Sequence, residues 1–140
     1  MFVLDTNVLS AMMRLQLEPR VAVWIAARSA DLLFTTSLSQ AEILSGLAIM
    51  VEGRRRLDLQ AAARAMFVED FDGRVLPFDT EAATAYASIF AARRGAGRPA
   101  ATIDLMIASI AQSRGASVVT RDTSGFEGCG LTLINPWDMT

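Results

Sequence analysis

Five short runs rich in apolar and β-branched residues punctuate this chain, and three of the four gaps between them are long enough for two helices each. Met1–Leu4, Leu32–Thr36, Val75–Phe78, Ser117–Thr120 and Leu131–Ile134 have the length and composition of strands. Between them, Val8, Leu9, Met12 and Met13 fall on one helical stripe, and Pro19 suits the first turn of a helix running to about Ser29. Further helices are predicted over Ser37–Val51, about Leu57–Phe71, from Asp79 to near Arg94, and over Ala101–Arg114, with Gly115 placed to terminate the last. Parallel neighbours in a sheet need a crossover, usually a helix. The alternation therefore predicts an α/β fold with a mainly parallel five-stranded sheet. The chain has 140 residues, enough to bury roughly 68–70% of its unfolded surface. It carries no repeat or linker, so one domain over residues 1–140 is expected.

Few side chains are available for chemistry. The chain has no His, one Cys (Cys129), and 13 basic residues that are all Arg. No imidazole can activate a Ser or Cys nucleophile, and no zinc set of Cys and His or internal disulfide can form. No lysine is present for a Schiff base or a P-loop, so Gly95-Ala96-Gly97 is read as a plain loop. The same lack rules out a phospho-accepting receiver domain. For an enzyme, carboxylates around a hard divalent cation remain. The net charge of −2 offers no basic footprint for nucleic acid. Apolar stretches such as Val21–Ala27 fall far below the ~18 residues of a membrane span. MFVLDTN lacks the charged start of a signal peptide. A soluble, cytoplasmic protein with no membrane partner is expected.

Topology then selects among the carboxylates. In a parallel α/β sheet, ligands bind at the carboxyl edge of the strands, where the crossover helices begin. Asp5 follows the first strand and Asp122 the fourth. Glu42 lies early in the helix after the second strand, and Asp104 in the first turn of the helix leading to the fourth. Each of the first three also has a purely structural explanation. Asp5 can cap a helix, Ser39-Gln40-Ala41-Glu42 has the form of a capping box, and Asp122 suits a turn. Asp104 has no such explanation, because it stands in Ile103-Asp104-Leu105-Met106-Ile107 without a cation one turn away. Four crowded acids repel unless a cation compensates. Mg²⁺ or Mn²⁺ would do so and would suit phosphodiester hydrolysis.

Leu4-Asp5-Thr6-Asn7, Ala41-Glu42, Ala101-Thr102-Ile103-Asp104 with Ile107-Ala108, and Thr120-Arg121-Asp122, in that order, resemble the PIN domain. More narrowly, the chain resembles the VapC-type toxins of bacterial type II toxin–antitoxin systems. Arg74-Val75-Leu76-Pro77-Phe78-Asp79 and Ile134-Asn135-Pro136-Trp137 resemble the branch that includes FitB. The resemblance spans nearly the whole chain and implies a three-layer α/β/α fold and a Mg²⁺- or Mn²⁺-dependent ribonuclease. It implies Asp5 and Asp104 as the principal metal ligands, with Glu42 and Asp122 acting directly or through water, and Asn7 and Thr120 as supporting residues. It further implies a homodimer acting on RNA and neutralised by an antitoxin that binds operator DNA. The alternative is a non-catalytic partner of that DNA-binding antitoxin, acting in transcriptional regulation.

Candidate phosphate contacts are Arg93, Arg94 and Arg98, with Arg54-Arg55-Arg56 equally suited to solvated helix ends. Cys129, in a Gly-rich loop without a basic neighbour in sequence, is not expected to be a nucleophile. Met12, Met13, Trp24 and Phe67, on helical stripes, are expected in the core or at an interface rather than against a cofactor. Setting the four acids aside turns the net charge of −2 into +2, so the acidic balance does not oppose a nucleic-acid substrate.

Overall fold

The computed structural model describes residues 1–14 and 18–138. All five apolar runs contain strands: β1 (Phe2–Leu4), β2 (Leu33–Thr36), β3 (Val75–Leu76), β4 (Ser117–Val119) and β5 (Leu133–Ile134). Several are shorter than their runs; β3 stops at Leu76 because Pro77 has no N–H with which to extend the ladder. The order is β3-β2-β1-β4-β5, and every pairing is parallel. The sheet is thus wholly rather than mainly parallel.

Two helices fill each long gap, as the lengths required. α1 (Thr6–Met12) and α2 (Pro19–Ala26) link β1 to β2, and α3 (Ser37–Ala48) and α4 (Arg54–Ala65) link β2 to β3. α5 (Thr80–Gly95) and α6 (Thr102–Ser113) link β3 to β4. The helix expected to reach Val51 ends at Ala48. Ile49 and Val51 are 87% and 89% exposed, so no burial sustains a further turn. α4 begins three residues earlier than its apolar pattern suggested and passes at Met66–Asp70 into a π-helical turn. Gly115 adopts φ of 65° just past α6, the left-handed position expected of a terminating glycine.

Successive residues of β1 face opposite sides of the sheet, and two cores result. Leu4 packs with Val8, Leu9, Trp24, Ile43, Leu47, Phe67 and Phe71, from the helices of the first two crossovers and the turn after them. Val3 packs with Ala82 and Ile89 of α5, and with Leu105, Ile107 and Ile110 of α6. Trp24 and Phe67 belong to the first core, and the partly buried Met12 and Met13 pack against it. This is a three-layer α/β/α arrangement, with α6 held by a buried apolar face.

That burial fixes the direction in which the first turn of α6 points. Ile107 is fully buried, and Ile107→Ala is expected to cost about 2–5 kcal/mol. The measurement is the urea midpoint at unchanged m-value; a loss under about 1 kcal/mol would contradict tight packing of α6.

Candidate active site

The chain runs outward from β1 through β2 to β3, then crosses back to place β4 on the other side of β1. β1 and β4 therefore flank the point where the winding reverses, and the crevice outside their carboxyl ends is where such sheets bind ligands. Asp5 and Thr120 sit there, one residue beyond each strand. The Asp5 N–H donates to the Val119 carbonyl at 2.9 Å, continuing the ladder.

Thr120 is fully buried, and its hydroxyl uses every hydrogen bond it can form. It donates to Asp5 Oδ2 at 2.8 Å and accepts from Asn7 Nδ2 at 3.2 Å and from the Asp122 N–H at 3.1 Å. Asn7 Oδ1 in turn accepts from the Arg121 N–H at 3.2 Å. One hydroxyl thereby joins the loops after β1 and β4. The capping role of Asp5 is also real, since its Oδ1 accepts from the Thr6 N–H at 2.8 Å at the start of α1. Each Asp5 oxygen still keeps a lone pair.

Glu42 is not part of a capping box. Thr36 caps α3 by accepting from the Ser39 N–H at 3.1 Å, so Ser39 lies inside the helix and Glu42 in its second turn. The Glu42 side chain is exposed and is held from β1's side of the site, where Thr6 Oγ1 donates to its Oε1 at 2.7 Å. Asp122 is also exposed, with Oδ1 accepting from Ser124 Oγ at 2.7 Å. Asp104 stands in the first turn of α6, and no hydrogen bond reaches its carboxylate among the described residues. A Cβ added to Gly125 would lie 3.0 Å from Asp104 Oδ2 and 3.6 Å from Asp122 Oδ2. The two carboxylates thus face one spot that only a glycine leaves open.

The four acids sense one another. Burial, followed by the charges of Asp5, Asp122 and Glu42, pushes Asp104 up to about 6, against a smaller opposing pull from Arg93. Burial raises Asp5 as well, and its bonds to Thr120 and Thr6 oppose that rise. Among the described residues, no group of three or more acidic, Cys or His side chains is arranged to hold a metal ion by itself. Mg²⁺ typically takes one or two carboxylates and keeps several waters, so a site for it does not need four direct ligands. The half-buried Asp104, which accepts no hydrogen bond and is surrounded by like charge, is the group that a cation would satisfy.

Several readings of individual residues change. Arg93 is 5% exposed; its Nη1 donates to the Glu127 carbonyl, so this candidate phosphate contact is held inside the protein. Arg94 and Arg98 are exposed, and Arg98 pairs with Glu127 at 2.6 Å. Arg54 pairs with Asp58 on the surface of α4. Cys129 does have a basic neighbour in space, Arg93, yet burial dominates and raises its thiol pKa. Thr6, Ser39, Ser124 and Gly125 join the site without having been singled out. The hydroxyls resemble ordinary caps in sequence, and Gly125 has an unremarkable turn composition.

The raised Asp104 pKa has a defined consequence for stability. Below about pH 4 the acid is protonated in both folded and unfolded chains; between 3.8 and about 6 only the folded chain keeps the proton. Its contribution to stability therefore falls as pH rises through that window. Asp104→Asn is expected to raise the Tm of the metal-free protein at pH 7.5 and to leave it unchanged near pH 3.5. Equal effects at both values would contradict charge crowding.

The chain matches the PIN domain family over residues 2–127. It is 39% identical over 138 residues to the VapC ribonuclease Y4jK of Sinorhizobium fredii, covering 99% of each chain. It is 32% identical over 137 residues to toxin FitB of Neisseria gonorrhoeae, covering 98% of this chain and 99% of that one. Among solved structures, FitAB bound to an IR36 DNA fragment matches with a TM-score of 0.93 at 31% identity, over 100% of this chain and 98% of the other. The family match over residues 2–127, with relatives 32–39% identical along nearly the whole chain, shows that this chain belongs to the PIN-domain family.

Proposed function

We propose that residues 1–140 form one domain, the toxin of a type II toxin–antitoxin pair: a ribonuclease that cleaves RNA phosphodiester bonds with Mg²⁺ or Mn²⁺ and is silenced by its antitoxin. The observation that carries this is the meeting of Asp104 and Asp122 about Gly125, with Asp5 near enough for its charge to raise Asp104 and no hydrogen-bond donor on the Asp104 carboxylate among the described residues. Support also comes from relatives that bear the names ribonuclease and toxin, and from a related FitAB structure bound to DNA. An antitoxin that binds operator DNA and a second copy of this chain are the partners in this reading. No helix among the described residues is long and apolar enough to cross a membrane, in keeping with a cytoplasmic site of action.

Asp5 and Asp104 would hold the cation, with Glu42 and Asp122 reaching it directly or through water. When bound, the metal would lower the pKa of a water and polarise the phosphoryl group for in-line attack. The protein's own part is positioning. Thr120 fixes Asp5 through Oδ2, Thr6 N–H fixes it through Oδ1, and Thr6 Oγ1 orients Glu42. Ser124 fixes Asp122, and Gly125 keeps the space between Asp104 and Asp122 clear. Such fixed side chains require little reorganisation when charge develops on the phosphate.

Titration of Mg²⁺ or Mn²⁺ against cleavage of a total RNA pool tests the proposal. Asp5→Asn and Asp104→Asn are expected to remove metal-dependent cleavage while the proteins stay folded by circular dichroism. Thr120→Val removes the hydroxyl that aims Asp5, and is expected to weaken the apparent metal affinity by about 10- to 100-fold. Wild-type protein that cleaves nothing at any metal concentration, yet changes an antitoxin's operator affinity, would establish the non-catalytic alternative instead.

A further inference from the structure

Gly46 is a glycine for which the fold has no need. It lies inside the 12-residue α3, where glycine weakens a helix relative to almost any other residue. Its φ is outside the left-handed region that favours glycine. A Cβ added to it would meet nothing within 4 Å. Neither backbone conformation nor packing therefore excludes a side chain there. What the missing side chain leaves is space, because Gly46 lines a cavity of about 290 Å³ between α1, α3 and α4.

That cavity shares a wall with the acidic crevice. Thr6 lines it, and the Thr6 N–H donates to Asp5 Oδ1 at 2.8 Å while the Thr6 hydroxyl donates to Glu42 Oε1 at 2.7 Å. Glu42 is also part of the lining, one turn before Gly46 on the same face of α3. An occupant of the cavity would therefore touch the residue that is bonded to two of the four acids. The apolar part of the lining is Met13, Ile43, Leu47 and Leu59. Two exposed cations complete it, Arg14 and Arg55, and neither forms an ion pair among the described residues.

We infer that this cavity seats the nucleotide next to the cleaved phosphodiester of a single-stranded RNA, with its base on the apolar side chains and its phosphate against Arg14 and Arg55. The identity of that strand as substrate rests on the ribonuclease reading; the affinity of the cavity for a nucleotide does not. A volume near the lower end of the roughly 300–1,000 Å³ of small-ligand clefts is the scale of one base. A base brings an apolar face and its phosphate a fixed negative charge, which matches a lining with two cations and one acid. An apolar peptide side chain would fill the space but leave both guanidiniums without a counter-charge. Entry requires a base free of its neighbours, as single-stranded RNA provides. Gly46 is then the position that sets the room available to the base.

Two measurements separate the parts of the inference. In metal-free protein, the four nucleoside 5′-monophosphates and inorganic phosphate are titrated separately at constant ionic strength, and the methyl resonances of Met13 and Ile43 are followed. A saturable shift is expected with at least one nucleotide and is expected to be lost in Gly46→Leu. Leucine is a better helix former than glycine and enters empty space, so the variant is expected to keep the wild-type circular dichroism. Arg55→Ala is the second variant, expected to weaken the nucleotide about 3- to 10-fold. No saturable shift with any nucleotide, or the same shift from inorganic phosphate alone, overturns the site whatever the protein does to RNA. In cleavage assays at constant free Mg²⁺, Gly46→Leu is expected to raise the KM for single-stranded RNA roughly 10-fold, with a smaller change in kcat. It is also expected to flatten the base preference at one position beside the cut, read by sequencing the new ends. An unchanged KM and base preference overturn the RNA assignment. If inhibition by the cognate antitoxin is lost while KM stays unchanged, the cavity belongs to a polypeptide, which overturns it equally. A wild-type protein that binds a nucleotide here but cleaves no RNA leaves the cavity standing and removes the nuclease reading.

Discussion

The candidate site depends on like charges held together at the edge of a parallel sheet. Burial opposes ionisation of Asp5 and Asp104, and the neighbouring carboxylates add to that opposition. The position of Asp104 in the first turn of α6 acts the other way, since the positive end of a helix favours a carboxylate. The net result is a pKa of about 6, so burial and repulsion outweigh the helix dipole. A carboxyl group in that condition would gain more from a nearby positive charge than a solvated acid would.

What makes this tolerable is the division of the molecule into two cores. The face that carries α1 to α4 and the face that carries α5 and α6 are each closed by large apolar side chains, and neither depends on the crevice. The sheet can therefore end in unfavourable electrostatics while its interior is well packed. Thr120 is the link between the two regimes. It is fully buried like a core residue, yet its hydroxyl joins Asp5, Asn7 and the Asp122 backbone across more than a hundred residues of sequence.

The strands and the four acids were legible because each depends on local signals. Apolar runs of strand length gave β1 to β5, and a parallel topology sends the residues after β1 and β4 to the same edge whatever the loops do. Where local signals competed, sequence was a poorer guide. Ser39-Gln40-Ala41-Glu42 satisfies the capping-box pattern, but Thr36 stands at the strand–helix junction and takes the cap first. Ile49 and Val51 continue an apolar stripe that meets no partner. The importance of Gly125 depends on a distance to Asp104 that no turn propensity encodes. Arg93 looks like its neighbour Arg94 in sequence and differs only because α5 turns one inward and the other outward.

That last contrast bears on how an acidic chain can handle a polyanion. A surface of scattered arginines would attract RNA at long range but would also be screened by salt and neutralised by the acids nearby. Arg93 stands apart from such a surface: it is buried, anchored to the Glu127 carbonyl, and its charge is felt at Asp104, where it opposes the rise in pKa. The like charge at the crevice is therefore met in part from within the protein, by Arg93. An overall positive charge on the protein is not required.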